Sequence, residues 1–205
     1  MKVLLKFNRG VKRRILFSDI TAFFKNNQNI IQSFLLYISG LIIGVAITDN
    51  FPIISSVVMN MFNINDDFFS VFTKNFSVYL LFYLLIFISG ISYIGNPIIV
   101  SIPVLIGILY SSTAICFTEY IKRNGYLIFM LLKIPSAILF ISTIFILIEI
   151  SRKMINKTRK SAFSENTVSS ELKEYIVCNL IILIIGIICA LIDGAMVILL
   201  NKLIQ

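Results

Sequence analysis

The sequence contains no histidine and few charged residues. Because none of the 205 residues is His, the usual general base and the commonest transition-metal ligand are missing. Only 14% of the residues are charged, whereas 58% are hydrophobic and the mean hydropathy is +0.95. Soluble domains do not have this balance. The chain is therefore predicted to be an integral membrane protein.

Sequence motifs of enzymes are missing as well. The three cysteines, Cys116, Cys178 and Cys189, are isolated within apolar segments, so they indicate neither a disulfide framework nor a metal site. The sequence has no phosphate-binding glycine loop, no G-x-S-x-G turn and no H-E-x-x-H zinc motif. We therefore expect no catalytic residue, no cofactor and no metal, and no nucleic-acid partner.

What the sequence does contain is a long stretch without charge. No charged residue occurs between Lys74 and Glu119. About 20 helical residues cross a ~30 Å hydrocarbon layer, so the apolar stretch 76–120 suits two crossings. Gly95, Asn96 and Pro97 mark the turn between them, because glycine tolerates positive φ and proline opens a helix without continuing one. This stretch predicts a tight hairpin of two membrane helices.

The same reasoning over the whole chain predicts an all-α membrane protein with five crossings. The membrane domain is predicted over 29–200, with crossings at about 29–48, 76–95, 97–120, 126–150 and 175–200. Three segments lie outside the bilayer in this prediction. They are a basic N-terminal segment (1–28), a loop between the first two crossings (49–75) and a second basic loop (151–174).

Lysine and arginine are distributed unevenly over these segments. The N-terminal segment contains seven of them and the loop 151–174 contains six. The predicted opposite side contains four, namely Lys74, Lys122, Arg123 and Lys202. By the positive-inside rule, the N-terminus is predicted in the cytoplasm and the C-terminus outside. The N-terminal segment is expected to attract anionic lipids, or to provide a docking surface for a cytoplasmic partner.

The loop 49–75 contains an amphipathic pattern. Its apolar residues recur at helical spacing after Pro52, which predicts an outer amphipathic helix between the first and second crossings. We expect this helix to lie on the outer leaflet and to contact a partner protein. The predicted contact residues are Ile54, Val57, Val58, Met61 and Phe62.

Small residues and prolines within the crossings predict close helix packing. Gly40 and Gly44 form a GxxxG pattern, which serves either packing within the chain or a partner-binding face. The same pattern could pack against a second copy of the chain, so a homo-oligomer is an alternative. The full set of predicted packing residues is Gly40, Gly44, Gly90, Gly95, Pro97, Gly107, Pro135, Gly186, Ala190 and Gly194.

Two charged residues fall inside predicted crossings. Lys133 lies seven residues from the outer end of the fourth crossing, and Asp193 lies seven residues from the outer end of the fifth. Both are therefore expected roughly 10 Å below the outer interface, on antiparallel helices. A lone charge in hydrocarbon costs at least ~2.5–3.5 kcal/mol, which favours an ion pair. The alternatives are that Lys133 extends outward alone and that Asp193 is hydrated.

The hairpin and the fourth crossing also resemble a known family. The order Gly90-Ile-Ser, Gly95-x-Pro97, Gly107 and then Pro135 is similar to that of the stage II sporulation protein M family of bacterial membrane proteins. The resemblance covers about 26–159. The chain has Ser111 where the family has a glycine, and Pro135 is followed by neither the His nor the Glu of the family pattern.

The resemblance implies a non-enzymatic membrane scaffold. Such a protein anchors the peptidoglycan-remodelling enzymes that drive engulfment during sporulation, so its partners would be membrane-anchored cell-wall hydrolases. Related family members accompany transporter ATPases or bacteriocin systems. The alternative function is therefore a permease-like subunit of a small ATPase-driven export or immunity complex.

Overall fold

The described part of the chain forms five helices. A computed structural model describes residues 27–50, 67–92, 94–121, 125–160 and 165–204. The helices are α1 (Gln28–Asn50), α2 (Phe68–Ile91), α3 (Asn96–Ile121), α4 (Gly125–Lys160) and α5 (Glu165–Ile204). All five are long and apolar enough to cross a membrane, and the described residues include no strand. The prediction of an all-helical protein with five membrane-length helices is confirmed. Most of the predicted outer amphipathic helix, including its five contact residues, lies outside the described residues.

Several helix ends differ from the predicted bounds, and α2 begins at Phe68, inside the predicted loop 49–75. The second crossing was predicted to reach residue 95, but α2 ends at Ile91. The Ser92 amide bonds back to the carbonyls of Ile88 and Ser89, and the Gly95 amide bonds to Ser92. A β-carbon on Gly95 would collide with the Ser89 carbonyl. The turn therefore begins at Ser92 and packs tightly against the end of α2, so the residues up to 95 are not part of that helix.

The predicted basic loop 151–174 is largely helical, so that prediction is wrong. Helix α4 continues to Lys160 and α5 begins at Glu165. The apolar face of α4 does not stop at residue 150, because Met154 and Ile155 are buried one turn after Ser151. Ser151 is buried and small, so it continues this packed face although the sequence becomes polar at this residue. On the surface, an ion pair of Lys153 with Glu149 at 3.4 Å supports the same turn of helix.

The core lies between α2, α3 and α4, with α5 against α2 and α4. Phe140 of α4 is at its centre with no exposed surface, and its ring stacks on Tyr79 of α2 at 4.2 Å between centroids. Isoleucines of α3 complete this core, namely Ile99, Ile102 and Ile106. Helix α5 contributes Ile182, Cys189 and Ala190. The three cysteines all lie within the described residues and form no disulfide.

Helix α1 packs on α3 and touches α4, and makes no described contact with α2 or α5. The contact with α3 is made between backbones. A β-carbon on Gly40 would collide with the Val104 backbone, and one on Gly107 would collide with the backbone of Tyr37. Gly44 faces Ile108 and the Ser111 hydroxyl. The GxxxG pattern therefore serves packing within the chain.

Candidate functional site: a polar cluster within the bundle

The structure brings Lys133 and Asp193 together inside the bundle. Lys133 Nζ lies 3.2 Å from Asp193 Oδ2, and their side chains are 6% and 0% exposed. Both charges are thus removed from solvent and lie within helices of membrane length. At this depth, an unpaired charge would lose hydration without compensation. The ion pair allows the two charged side chains to be buried.

Further side chains hold the carboxylate of Asp193. Tyr79 of α2 donates its hydroxyl to Asp193 Oδ2 at 2.6 Å. Ser136 of α4 donates to Asp193 Oδ1 at 2.5 Å. Each carboxylate oxygen therefore accepts a short hydrogen bond, as a buried anion requires. Three helices meet at this single group.

The lysine is held from α2 as well. Lys133 Nζ donates to Asn75 Oδ1 at 3.2 Å, and the Asn75 amide donates to the Val71 carbonyl one turn earlier at 3.0 Å. Asn75 is 2% exposed and Ser136 is completely buried. We call Asn75, Tyr79, Lys133, Ser136 and Asp193 the polar cluster. It joins α2, α4 and α5 by hydrogen bonds and an ion pair.

The local sequence explains why these side chains converge. Asn75 and Tyr79 are four residues apart on α2, and Lys133 and Ser136 are three apart on α4, so each pair lies on one helical face. The sequence did not predict Asn75, Tyr79 and Ser136 as members of the site. The second crossing was predicted to begin at 76, which left Asn75 in the outer loop, whereas α2 begins at Phe68 and places Asn75 seven residues inside the helix.

The small residues predicted for helix packing lie where two helices come close together. Gly90 of α2 faces the Tyr175 hydroxyl of α5, and Gly186 faces the ring of Tyr83. A β-carbon on Gly194 would lie 2.7 Å from the Phe68 ring, and Ala190 has no exposed surface. Pro97 is the second residue of α3, and Pro135 lies inside α4 directly before Ser136.

Tyr175 forms a second polar contact between helices. Its hydroxyl lies 2.9 Å from Ser151 Oγ on α4 and 3.2 Å from the Phe87 carbonyl on α2. Its ring stacks on Phe87 at 5.6 Å. Tyr175 thus joins the same three helices as the polar cluster, near the end of the bundle that is predicted to be cytoplasmic.

Polar side chains also attach α1 to the bundle. At the end predicted to be cytoplasmic, the Asn29 amide donates to Glu149 Oε2 at 2.9 Å and Arg152 donates to Gln32 Oε1 at 3.2 Å. Near the other end of α1, the Thr48 hydroxyl donates to Ser112 of α3 at 2.7 Å. Hydrogen bonds therefore fix α1 at both of its ends.

The polar cluster does not have the composition of a metal site. Within the described residues, no group of three or more His, Cys, Asp or Glu could hold a metal ion. The cluster contains one carboxylate, whose charge is already neutralised by Lys133. Chemically, it is suited to joining helices and to holding polar groups or protons inside the bundle.

No family model, curated protein sequence or solved structure matches the chain.

Proposed function

We propose that the protein is a non-enzymatic scaffold of the bacterial cell membrane that holds other membrane-anchored proteins in place. The observation that supports this proposal is the bonded polar cluster inside the bundle. The buried carboxylate of Asp193 is bonded by Tyr79, Lys133 and Ser136, and the space beside the polar cluster is only about 10 Å³. A helix bundle joined internally in this way is suited to presenting a fixed outer surface.

The partners in this proposal are peptidoglycan-remodelling enzymes, the class implied by the resemblance to the stage II sporulation protein M family. They contact the outer segment 49–75 through Val58 and Met61, while the N-terminus is cytoplasmic. Apolar residues on one face of a surface helix provide a docking stripe for a partner.

A second candidate function is the permease-like subunit of an ATPase-driven export or immunity complex. The observation that favours it is the ion pair itself, since charged residues inside membrane helices often mark substrate or proton paths. In this case the ATPase binds on the cytoplasmic side, where Lys153 and Lys157 are exposed on α4.

One experiment separates the two functions. The tagged protein is cross-linked in native membranes and its partners are identified by mass spectrometry. The variant Val58→Lys/Met61→Lys changes the outer contact, and Lys153→Glu/Lys157→Glu changes the cytoplasmic surface. Recovery of cell-wall hydrolases that is lost only in the first variant supports the scaffold. Recovery of an ATPase that is lost only in the second supports the permease-like subunit, and unchanged recovery in both contradicts both proposals.

A further inference from the structure

One buried hydroxyl beside the polar cluster lacks a hydrogen bond. Tyr110 of α3 is 9% exposed, and its hydroxyl is buried without a protein partner at hydrogen-bond distance and angle. The Tyr79 hydroxyl is close enough to act on it as a hydrogen-bonding group, but their contact does not meet the distance and angle of a formed hydrogen bond. Burying a hydroxyl without a hydrogen bond is unfavourable, because the group loses its bonds to water and gains none. A group that would bond to Tyr110 is therefore expected nearby.

A small cavity adjoins this hydroxyl. It is lined by Asn75, Val78, Tyr79, Leu109, Tyr110, Thr113 and Lys133, and its volume is about 10 Å³. A volume on the order of 10–15 Å³, measured for the centre of a water-sized probe, is what one water molecule needs. Five of the seven lining residues have polar side chains. The cavity thus matches a single water in size, and its polar lining residues are the groups that could bond to that water.

The neighbouring groups provide acceptors for a water. Tyr79 donates its proton to Asp193, so its oxygen can still accept. Thr113 donates to the Leu109 carbonyl at 2.6 Å, and its oxygen is likewise an acceptor. Asn75 Oδ1 accepts from Lys133 and has a second lone pair. A water in the cavity could accept from Tyr110 and donate to two of these three oxygens.

We propose that this cavity is a binding site for one structural water, which joins Tyr110 of α3 to the polar cluster. The described hydrogen bonds of the cluster come from α2, α4 and α5. The water extends the network to a fourth helix and satisfies the Tyr110 hydroxyl. The three hydrogen bonds it forms are the usual number for a buried water.

The first test is a structure of the wild-type protein in lipid nanodiscs at a resolution that shows ordered waters. We expect a peak within 3.2 Å of Tyr110 Oη and of at least one of the oxygens of Asn75, Tyr79 and Thr113. Direct bonding of Tyr110 to Tyr79, with no peak between them, would overturn the proposal.

The second test uses X-ray radiolysis, in which a bound water is split where it lies and hydroxylates the adjacent side chain. Tyr110 of the wild type is expected to be labelled. Thr113→Ile replaces the Thr113 hydroxyl by a larger ethyl group, which removes one acceptor and fills space beside the cavity, and it should reduce that labelling at least fivefold. Tyr83, which bonds to Thr143 instead, is the internal control and should keep its level. A wild-type protein whose Tyr110 stays unlabelled contradicts the proposal, whether or not the variant folds.

Discussion

Gly90 of α2 lies directly against the hydroxyl of Tyr175 on α5. A β-carbon at this position would collide with that hydroxyl and would also lie 3.1 Å from the side chain of Ser151. Tyr175 cannot simply move away, because its ring is stacked on Phe87 and its hydroxyl is bonded to Ser151. The glycine is therefore required by the contact between α2 and α5, independently of any turn.

We expect Gly90→Ala to destabilise the protein by about 1–3 kcal/mol, because the added methyl group overpacks this contact. Thermal unfolding in detergent measures the effect. In a Tyr175→Phe background, which removes the opposing oxygen, the same substitution should cost clearly less. Equal losses in both backgrounds would show that the hydroxyl does not set the requirement.

Removing either partner of the intramembrane ion pair should destabilise the protein strongly. Lys133→Met or Asp193→Asn alone leaves one buried group without its partner, and breaking a buried pair costs about 3–5 kcal/mol. The double variant should recover much of that loss. Lys153→Met is the matched control, since its pair with Glu149 is exposed and worth at most about 1 kcal/mol.

Strictly additive losses for Lys133→Met and Asp193→Asn would contradict the pairing. The cycle is measured as thermal unfolding of purified protein in one detergent at one pH, so that the protonation of the two groups stays comparable. A recovery of less than a quarter of the summed losses counts against the pair.

The loss of stability on replacing a glycine by alanine should depend on which atoms the new methyl group contacts. Gly40→Ala and Gly107→Ala push against the backbone of the neighbouring helix, which cannot rotate away. Gly186→Ala meets the ring of Tyr83, a side chain that can shift. We therefore expect the first two to lower the unfolding temperature more than the third. The reverse order in detergent unfolding would show that α1 and α3 separate easily.

The orientation in the membrane is a further prediction. Residues 2 and 157 are expected in the cytoplasm and residues 66 and 205 outside, because Lys and Arg are concentrated on one side. Single cysteines are introduced at these positions in a variant without native cysteines. An impermeant thiol reagent applied to intact cells should label only positions 66 and 205. Labelling at 157 without labelling at 66 means that the orientation is inverted.

The sequence predicted the number and type of the helices. It did not predict which helix faces pack against each other. Apolar length alone located the crossings, because lipid leaves few alternatives to a helix. The depths of Lys133 and Asp193 followed from counting residues along two helices. Counting residues does not show which helix faces meet. The contact at Gly40 and Gly107 depends instead on how closely the backbones of α1 and α3 fit together. Asn75 and Tyr79 were missed because polar residues in an apolar helix often bond only to their own backbone, as Thr73 does.

Helices α4 and α5 are much longer than a bilayer requires. With 36 and 40 residues they measure about 54 and 60 Å, against a hydrocarbon core of ~30 Å. If Lys133 and Asp193 lie about 10 Å below one interface, both helices continue about 20 Å beyond the other interface. At that depth the ends of the two helices would project from the membrane as a stalk. The headgroup layer takes about 5–7 Å of that length, so the far ends of α4 and α5 would stand about 13–15 Å from the lipid charges, more than one ~8 Å Debye length. Charged groups there would interact with soluble molecules more strongly than with headgroups.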